Sequence, residues 1–483
     1  MKNNDRIIKP ELVSNARTGL ISRIITDGDW NWVRPDSERP NDESQKIDPG
    51  NPANYYESTL APWMSFPPLE SDKQCELVVI GGGLLGASTA LHLAESGVET
   101  ILLEKNAIGS GASGRNGGQL TPGLARWEAE SMLENLTYQE ARRLWKFTSA
   151  EAMALIDNIT AKYSLDLDRK HGHLTAAVHP GHMSALVKAA DARHYLGDHQ
   201  VTVLGNYELQ EHIRSEIYHG GIHDDCGGQI HSLALNRGLI YGFLKNGGTV
   251  HEHSEVIRIE ETPDGTRVHT PSGIVTATRG VIIAVHDDTH SLLSQDPATT
   301  LPFYTYVGVT RPVDGGNRSL LPTGKAVYDT QLQIDYYRPV RDQRLLFGGQ
   351  GTGMRWDNNR TVDYLTSRLR TVFADRDDLE LDFAWSGTTD LTLNGATDCR
   401  RSGSRGQIYS VHGWSGHGVA QTVRIGKAIT DDITGASDDF AMLAAIKHTP
   451  LFMGRQLAPV AIPLAKTLLG ISTRLAPGKM ISF

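Results

Sequence analysis

The 483-residue sequence has only three cysteines, Cys75, Cys226 and Cys399, and no two of them form a CxxC pair. Such sparse cysteines exclude a disulfide scaffold and a cysteine-cluster metal site, and they favour a reducing compartment. No apolar run approaches the roughly 20 residues that a membrane span needs, and the opening MKNNDRIIKPELVSN lacks the apolar core of a secretory signal. These absences predict a soluble cytoplasmic protein and disfavour membrane association.

Positive charge is also scarce, since 47 lysines and arginines stand against 56 aspartates and glutamates for a net charge of −9. No Lys/Arg-rich run stands out, which disfavours a nucleic acid as partner. Hydrophobic residues make up 39% of the chain, an ordinary share for a globular protein, and the length allows two or more cores.

The order of the elements predicts a mixed α/β (α+β) fold. Residues 1–70 are polar and rich in Pro, Asp and Asn, which indicates an irregular extension. A βαβ unit begins at Glu76. Short strand-like runs between about 170 and 400 are bounded by Gly, Pro or Asp, which is typical of an antiparallel sheet. A last strand then enters a glycine cluster and a helix within residues 407–433.

The stretch VVIGGGLLGASTALHLAESGVETILLEK, residues 78–105, has the pattern of a dinucleotide-binding βαβ unit. Its glycines have the G-x-G-x-x-G spacing, which permits a tight turn and a close approach to a pyrophosphate at the helix N-terminus. Glu104 ends the second strand, where an acid accepts hydrogen bonds from a ribose and disfavours the 2′-phosphate of NADP. The candidate binding residues of this unit are Gly81, Gly83, Leu84, Leu85, Gly86, Glu104 and Lys105.

Two further glycine clusters favour a flavin over a nicotinamide cofactor. KNAIGSGASGRNGGQ follows Glu104 directly, where a nicotinamide dehydrogenase usually continues with an ordinary βαβ element. GWSGHG, residues 413–418, follows an apolar strand and opens a helix. Backbone N–H groups at such a helix end suit the negative charge of a reduced flavin ring.

The motifs GASGRNGGQ, DYYRP…RLLFGG and SGHGV together resemble the D-amino-acid oxidase/glycine oxidase (DAO) superfamily of FAD-dependent oxidoreductases, and within it the bacterial gamma-glutamylputrescine oxidases. The resemblance extends from about Tyr55 to Phe483 and implies a Rossmann-like FAD-binding domain interleaved with an antiparallel-sheet substrate domain. The implied FAD-binding segments are 74–165, 200–290 and 395–440, the substrate segments are 166–199 and 291–394, and a helical or irregular tail covers 441–483.

The resemblance also implies positions around the cofactor. Val256 matches a backbone contact to adenine, and Gly416, His417, Gly418 and Val419 match the pyrimidine end of the flavin. Two positions depart from the family pattern: Val285 stands where relatives carry a small residue, and NGATDCR, residues 394–400, replaces R-x-P-x-x-G. The residues expected beside the pyrophosphate and the ring are Ser113, Gly114, Arg115, Asn116, Gly117, Gly118 and Gln119.

The candidate catalytic residues are His417, Arg338 and Tyr337. In the broader family an arginine near Arg338 pairs with a substrate carboxylate through a bidentate contact; the alternative is a surface arginine at a strand edge. Tyr336 and Tyr337 point to opposite faces of the strand, so only one of them lines a pocket. His417 is either a proton carrier or, as we prefer, a hydrogen-bonding neighbour of the flavin.

The resemblance implies oxidation of an amine, with hydride transfer from the amine-bearing carbon to flavin, an imine that becomes an aldehyde, and O2 reduced to H2O2. A gamma-glutamylated amine such as gamma-glutamylputrescine is the preferred donor. The alternatives are a secondary or small amino acid (pipecolate, sarcosine, iminodiacetate or glycine) and a flavin-binding protein without turnover. Some relatives link FAD to a cysteine, but Cys399 lies beyond the corresponding stretch, Trp385 to Thr388, so we expect non-covalent FAD.

Three other patterns suggest competing functions that the sequence does not favour. HGH (171–173), HEH (251–253) and HDDTH (286–290) specify too few ligands for a metal site. GWSGH lacks the second glycine of the G-x-S-x-G nucleophile elbow, which disfavours a hydrolase. The apolar segment 457–477 contains Pro459 and Pro463, which predicts packing on the protein rather than on a membrane surface.

Overall fold

The computed structural model describes residues 54–293, 296–451 and 454–480, and most of the expected N-terminal extension lies outside this range. The predicted fold class is confirmed, because the described residues form two sheets with helices between and around them. The described helices are α1 (Tyr55–Thr59), α2 (Leu84–Glu95), α3 (Ala129–Asn135), α4 (Tyr138–Thr148), α5 (Ala150–Tyr163), α6 (Met183–Tyr195), α7 (Asn206–Gln210), α8 (Ser232–Lys245), α9 (Thr289–Leu292), α10 (Asn358–Val372), α11 (Gly418–Thr434), α12 (Asp439–Ala444) and α13 (Gly454–Leu475).

The first sheet has a parallel centre in the order β17-β10-β1-β2-β7. The carboxyl-terminal parts of β1 and β10 and most of β2 are apolar because helices α2 and α8 pack against this sheet and side chains of β1, β2 and β10 form a buried apolar cluster. β9 and β8 extend β10 as an antiparallel arm, and β16 pairs antiparallel with β17. Its described strands are β1 (Lys73–Ile80), β2 (Thr100–Leu103), β7 (Thr249–His251), β8 (Arg258–Thr262), β9 (Gly265–Thr270), β10 (Gly273–Ile283), β16 (Asp398–Ser402) and β17 (Ile408–His412).

The second sheet has the order β15-β11-β14-β13-β12-β4-β6-β3, with β5 beside β6. Its pairs are antiparallel except β12 with β4. One face packs against α10 in a core that includes Tyr337, Phe347 and Leu365. Its described strands are β3 (Gln119–Leu120), β4 (Lys170–Ala176), β5 (Val201–Leu204), β6 (Gly221–Gln229), β11 (Thr300–Thr310), β12 (Ala326–Asp329), β13 (Asp335–Pro339), β14 (Leu345–Thr352) and β15 (Leu381–Thr392).

The strand pairing corrects the expected boundaries in two places. β3 lies within the expected FAD-binding segment 74–165 but pairs with β6 in the second sheet. The segment 200–290 was expected to belong wholly to the FAD-binding part, but β5 and β6 pair with β4 in the second sheet. The short strand-like runs at 201–204 and 221–229 suit either sheet, and only long-range pairing decides between them. The chain therefore enters the second sheet again before α8 returns it to the first.

The described end of the N-terminal extension also differs from the expected irregular segment. Residues 55–59 form α1, capped by the Asn54 side chain, and Tyr56, Leu60 and Leu69 are buried. This stretch therefore belongs to the protein interior next to the glycine cluster at 111–118.

Candidate active site

A cavity of about 520 Å³ opens at the carboxyl ends of β1, β2 and β10. Open α/β sheets bind ligands at this edge, where the loops after the parallel strands leave a crevice. Gly81, Gly83, Leu84 and Leu85 contribute the turn after β1, and Glu104 and Lys105 follow β2. The structure therefore brings six of the seven residues of the predicted βαβ motif to one cavity.

The seventh residue, Gly86, serves the packing of α2 instead. A Cβ atom at Gly86 would lie 1.9 Å from the carbonyl oxygen of Gly81, so α2 approaches the turn too closely for any side chain. Gly81 itself has φ +107°, and its Cβ would lie 2.4 Å from the carbonyl oxygen of Ala284. Both glycines keep the turn narrow, and they leave the N-terminus of α2 facing the cavity.

Glu104 is held in place by two backbone donors. Its Oε2 accepts the Gly82 N–H at 2.6 Å, and its Oε1 accepts the Asn106 N–H at 2.8 Å. Burial raises the pKa of the carboxyl, although these two hydrogen bonds act in the opposite direction. Each oxygen keeps a lone pair, so the carboxylate has acceptors for the two ribose hydroxyls of a dinucleotide.

The rest of the cavity wall comes from distant parts of the chain. Val256, which the family pattern matched to adenine, and Ser113 both line it. Val285 also lines it, at the position where relatives carry a small residue. The sequence named His286 only within the disfavoured metal motif HDDTH, and Trp414 only as part of the second glycine cluster. Other lining residues without an individual prediction include Asn106, Gly109, Ser254, Asp287, Thr388 and Thr422.

The glycine cluster at 111–118 connects the cavity to the second sheet. Ser113 Oγ accepts the Leu84 N–H at 2.8 Å, which ties the cluster to the start of α2. A Cβ at Gly117 would lie 2.6 Å from the Tyr336 ring, and one at Gly118 would lie 2.3 Å from the Ile230 carbonyl oxygen. At these two positions glycine lets the loop approach the protein's own side chains and backbone, rather than only a cofactor.

Three other residues of this cluster have defined places. A Cβ at Gly114 would lie 2.2 Å from the Gly109 carbonyl oxygen. The amide of Asn116 donates to the Ser113 carbonyl and to Ser232 Oγ. Gln119 donates to the Val327 carbonyl oxygen at 2.8 Å. These contacts fix the loop that passes between the two sheets.

Arg338 is buried beneath the same loop. Its Nε donates to the Gly117 carbonyl oxygen at 2.7 Å, and its Nη2 donates to the Tyr56 hydroxyl at 2.9 Å. Nη1 is buried without a hydrogen-bond partner among the described residues. Two of the three guanidinium nitrogens thus donate hydrogen bonds to protein groups. The expected bidentate contact with a substrate carboxylate stays a prediction, and only Nη1 and the second hydrogen of Nη2 are left to make it.

Tyr337 does not share the face of Arg338, which corrects its expected role in a pocket. The Tyr337 side chain is fully buried in the core beneath α10 and donates its hydroxyl proton to Tyr218 at 3.0 Å. Tyr336 lies on the opposite face with Arg338, against Gly117 and Gly348. The sequence predicted the alternation but not which face carries the core.

The second glycine cluster, 413–418, has its first donors engaged within the protein. The N–H groups of Gly413 and Trp414 donate to the Asp390 carboxylate at 2.6 and 3.0 Å. Trp414 lines the cavity, whereas Gly416, His417, Gly418 and Val419 are not among its lining residues. The expected placement of these four residues at the flavin therefore stays a prediction.

Asp390 also pairs with His286, a cavity residue that the sequence analysis named only within the disfavoured metal motif HDDTH. The distance from His286 Nε2 to Asp390 Oδ1 is 3.1 Å, and Asp390 is fully buried. Burial alone would lower the pKa of His286, but the carboxylates of Asp390 and Asp287 raise it to about 9. The imidazole is therefore a cation at neutral pH, on the wall of the cavity.

A polar cluster lies on the face of the second sheet that carries Tyr336. His173 Nε2 is 3.1 Å from Gln119 Oε1, and the His173 and Tyr328 rings are 4.7 Å apart. Burial and then the charge of Glu128 raise the pKa of Tyr328, and burial raises the pKa of Glu128 itself to about 7. Burial and then the charge of His417 lower the pKa of His173 to about 3, and burial lowers the pKa of His417 to about 4, which leaves both imidazoles neutral.

The histidine motifs have local partners within the described part of the chain. Glu252 of HEH accepts the N–H groups of Phe66 and Ile108, and His251 contacts the Pro67 carbonyl. His173 of HGH contacts Gln119. Among the described residues, no three His, Cys, Asp or Glu side chains converge as metal ligands, and no helix is long and apolar enough to cross a membrane.

The comparisons with known proteins point to the same class of cofactor as the cavity does. Residues 76–432 match the family model described as DAO, FAD dependent oxidoreductase. The chain is 31% identical to gamma-glutamylputrescine oxidoreductase of Escherichia coli strain K12 and 29% identical to the probable oxidoreductase OrdL of Haemophilus influenzae, in both cases over 84% of this chain and 94% of the relative. A glycine oxidase structure from Geobacillus kaustophilus covers 78% of this chain and is itself covered completely, with TM-score 0.66 and 22% identity.

The structural likeness shows a shared fold, and the family match confirms the predicted FAD cofactor and the oxidoreductase class. The cavity fits FAD, because its turn excludes a side chain at Gly81 and β2 is followed by Glu104, whose carboxylate oxygens keep lone pairs for hydroxyl donors. The chain therefore belongs to the DAO family of FAD-dependent oxidoreductases.

Proposed function

We propose that the protein is an amine oxidase whose donor is a gamma-glutamylated amine. The observation that carries the proposal is the polar cluster of His173, Tyr328, Glu128 and His417 beside the loop that leads to the cofactor cavity. The likeness to the Escherichia coli gamma-glutamylputrescine oxidoreductase supports this donor class. Bound FAD supplies the hydride acceptor and the route to O2, so the chain itself has to bind, orient and deprotonate the amine.

Glu128 is suited to the ammonium end of such a donor. An ammonium must lose a proton before its carbon gives up hydride, and a carboxylate with a pKa of about 7 accepts that proton near neutral pH. The neutral imidazole of His417 brings no competing positive charge to the cluster. We therefore assign proton acceptance to the Glu128 carboxylate and hydrogen bonding to His417.

Arg115 is suited to the carboxylate end. Its Nε donates to the Ser386 carbonyl at 2.9 Å, and it forms no ion pair with any residue that the structure describes. Burial lowers the pKa of this guanidinium, so pairing with a carboxylate would relieve its desolvation. Arg338, by contrast, is assigned mainly to hold the Gly117 carbonyl and Tyr56.

A donor panel tests this assignment. We expect the holoenzyme to release H2O2 with gamma-glutamylputrescine and to be much slower with putrescine, which lacks the glutamyl carboxylate. Arg115→Met should raise KM for gamma-glutamylputrescine by 30-fold or more, because losing a charged contact costs about 2–5 kcal/mol, and should change KM for putrescine little. Glu128→Gln should lower kcat and remove its rise with pH near neutrality.

The panel also separates the alternatives. Rapid oxidation of pipecolate, sarcosine, iminodiacetate or glycine, with none of gamma-glutamylputrescine, would assign the enzyme to secondary or small amino acids. A flavin-loaded protein that reduces neither O2 nor an artificial dye with any donor would be a binding protein without turnover. Dye reduction without H2O2 would show that O2 is not the acceptor.

We further expect the FAD to be bound non-covalently. Cys399 is buried on β16 and does not line the cofactor cavity, and burial raises the pKa of its thiol well above the ordinary range. The stretch from Trp385 to Thr388, where some relatives carry the linking cysteine, contains none. Acid precipitation should therefore move all flavin absorbance into the supernatant, and a yellow pellet would contradict the prediction.

A further inference from the structure

The C-terminal helix α13 exposes an apolar stripe to solvent. Six of the fifteen large apolar side chains that are exposed in the described residues lie on this one helix. Their exposed fractions run from 49% to 81%, which is far above the scattered exposure of an ordinary surface helix. The stripe consists of Leu457, Val460, Leu464, Leu468, Ile471 and Leu475.

The spacing places all six side chains on one side of the helix. Successive members are three or four residues apart, and at about 1.5 Å per residue they extend over roughly 27 Å. A different side of α13 contacts the protein, where Ala458 and Ile462 pack on Phe303. Lys466 Nζ donates to the Gly351 carbonyl at 2.6 Å and fixes this side. The helix is therefore anchored while its stripe has no cover among the described residues.

The two prolines do not interrupt the pattern, contrary to the expectation from sequence. α13 continues through Pro459 and Pro463. The two are four residues apart, so the hydrogen bonds that they remove lie on the same side of the helix, and the remaining bonds keep its axis. The expected packing on the protein is limited to a few side chains, of which Gly454, Ala458 and Ile462 are buried.

The chain segment that carries the stripe has charges of one sign. From Phe440 to Phe483 the sequence contains no aspartate or glutamate, although the whole chain has a net charge of −9. The cations of this segment are Lys447, Arg455, Lys466, Arg474 and Lys479. Arg455 pairs with Asp288 at 3.0 Å and Lys466 contacts the protein, so Lys447, Arg474 and Lys479 carry the exposed positive charge. A second copy of the chain docked through the same stripe would bring these cations together, which disfavours a symmetric dimer here.

We propose that α13 binds the surface of an anionic phospholipid bilayer, with its apolar stripe in the acyl-chain boundary and with Arg474 and Lys479 at the headgroups. An anchored helix with an exposed apolar face and a cationic flank has the composition of an interfacial helix. Each cation near an anionic surface contributes about fivefold to the binding constant, and the contribution falls with salt.

Vesicle co-sedimentation of the full-length holoenzyme tests the proposal. We expect binding to vesicles of equimolar phosphatidylglycerol and phosphatidylcholine and little binding to phosphatidylcholine alone. The double variant Leu464→Glu/Leu468→Glu should reduce binding to the mixed vesicles at least tenfold. Arg474→Glu/Lys479→Glu should reduce it by a similar factor and flatten the salt dependence.

Matched controls use equally exposed positions elsewhere. Tyr207→Glu on α7, where the side chain is 87% exposed, and Lys188→Glu on α6 should leave vesicle binding unchanged. FAD content and oxidase activity measured in solution should be equal in all variants, so failure of the proposed donor would not affect this test.

Three outcomes would overturn the proposal. The holoenzyme would fail to sediment with the mixed vesicles, or it would sediment equally with and without the stripe, or the stripe variants would change only its oligomeric state. A change in oligomeric state alone would assign the stripe to a second copy of the chain. If the full-length protein did not bind the mixed vesicles but the protein without residues 1–53 bound them through the stripe, the stripe would be assigned to residues 1–53.

Discussion

Glu104→Ala will weaken FAD binding by tenfold to about 150-fold while leaving a folded protein. A hydrogen bond to a charged group contributes about 1.5–3 kcal/mol, and 1.4 kcal/mol corresponds to tenfold in the dissociation constant. Glu104 lines the cavity with both oxygens already positioned by Gly82 and Asn106. Equilibrium dialysis with flavin absorbance measures the loss directly.

A neighbouring carboxylate provides the control. Glu252 also accepts two backbone N–H groups, from Phe66 and Ile108, but it does not line the cavity. Glu252→Ala should therefore lower the free energy of unfolding by about as much as Glu104→Ala does, without a comparable change in FAD affinity. Equal loss of FAD from both variants would mean that Glu104 acts through the fold rather than through the ribose.

The sequence predicted this part of the site because its physics is local. The turn after β1, the start of α2 and the acid after β2 lie within 28 residues of each other in VVIGGGLLGASTALHLAESGVETILLEK. The glycine spacing and the apolar strand patterns determine the backbone geometry of these three features, and contacts with distant segments are not needed to predict them. Six of the seven predicted residues line the cavity for this reason, and the seventh supports it from behind.

The parts that escaped prediction depend on contacts between distant residues. The choice between Tyr336 and Tyr337 required knowing which face of β13 meets α10, and alternation alone leaves that open. The assignment of residues 201–229 to the second sheet depended on pairing with β4. Tyr56 lay in a polar extension that gave no sign of reaching Arg338, 282 residues away.

The pair of His286 and Asp390 is the clearest example, because 104 residues separate its members. Its one local signal is the unusual VHDD after β10, where relatives carry small residues. His286 has φ +58°, a left-handed conformation that a non-glycine residue adopts only when its surroundings hold it. The ion pair with Asp390 keeps His286 in this conformation. The same carboxylate accepts hydrogen bonds from the backbone N–H groups of Gly413 and Trp414.

Asp390→Asn will lower the free energy of unfolding at neutral pH by about 3–5 kcal/mol, as expected when one partner of a buried ion pair is removed. An asparagine places an NH2 group against the N–H donors of Gly413 or Trp414, or against the His286 imidazolium, so at least one contact becomes repulsive. Because Trp414 lines the cavity, FAD affinity should fall as well. Urea unfolding at saturating FAD and dialysis against FAD measure the two effects.

The pH dependence identifies the ion pair itself. The pKa of His286 in the folded protein is about 9, above its ordinary value near 6.5, so the folded state binds the proton more tightly than the unfolded state. The stabilisation is therefore complete below pH 6.5 and is lost as the pH rises to 9, by at most about 3 kcal/mol. His286→Asn is the matched variant, because asparagine tolerates the left-handed conformation but does not titrate.

Other groups titrate in the same window, so the difference between the parent and His286→Asn is the informative quantity. Glu128, with a pKa of about 7, and Lys466, with a pKa of about 8, contribute equally to both proteins and cancel. We expect the difference in the free energy of unfolding to be largest near pH 6.5 and to shrink by about 3 kcal/mol by pH 9. Parallel curves would show that His286 carries no proton at neutral pH and that Asp390 acts on Gly413 and Trp414 alone. His286→Asn removes the charge of the pair but keeps the contacts of Asp390 with Gly413 and Trp414. The additional loss of stability and FAD affinity in Asp390→Asn therefore measures what those contacts contribute to the cavity wall.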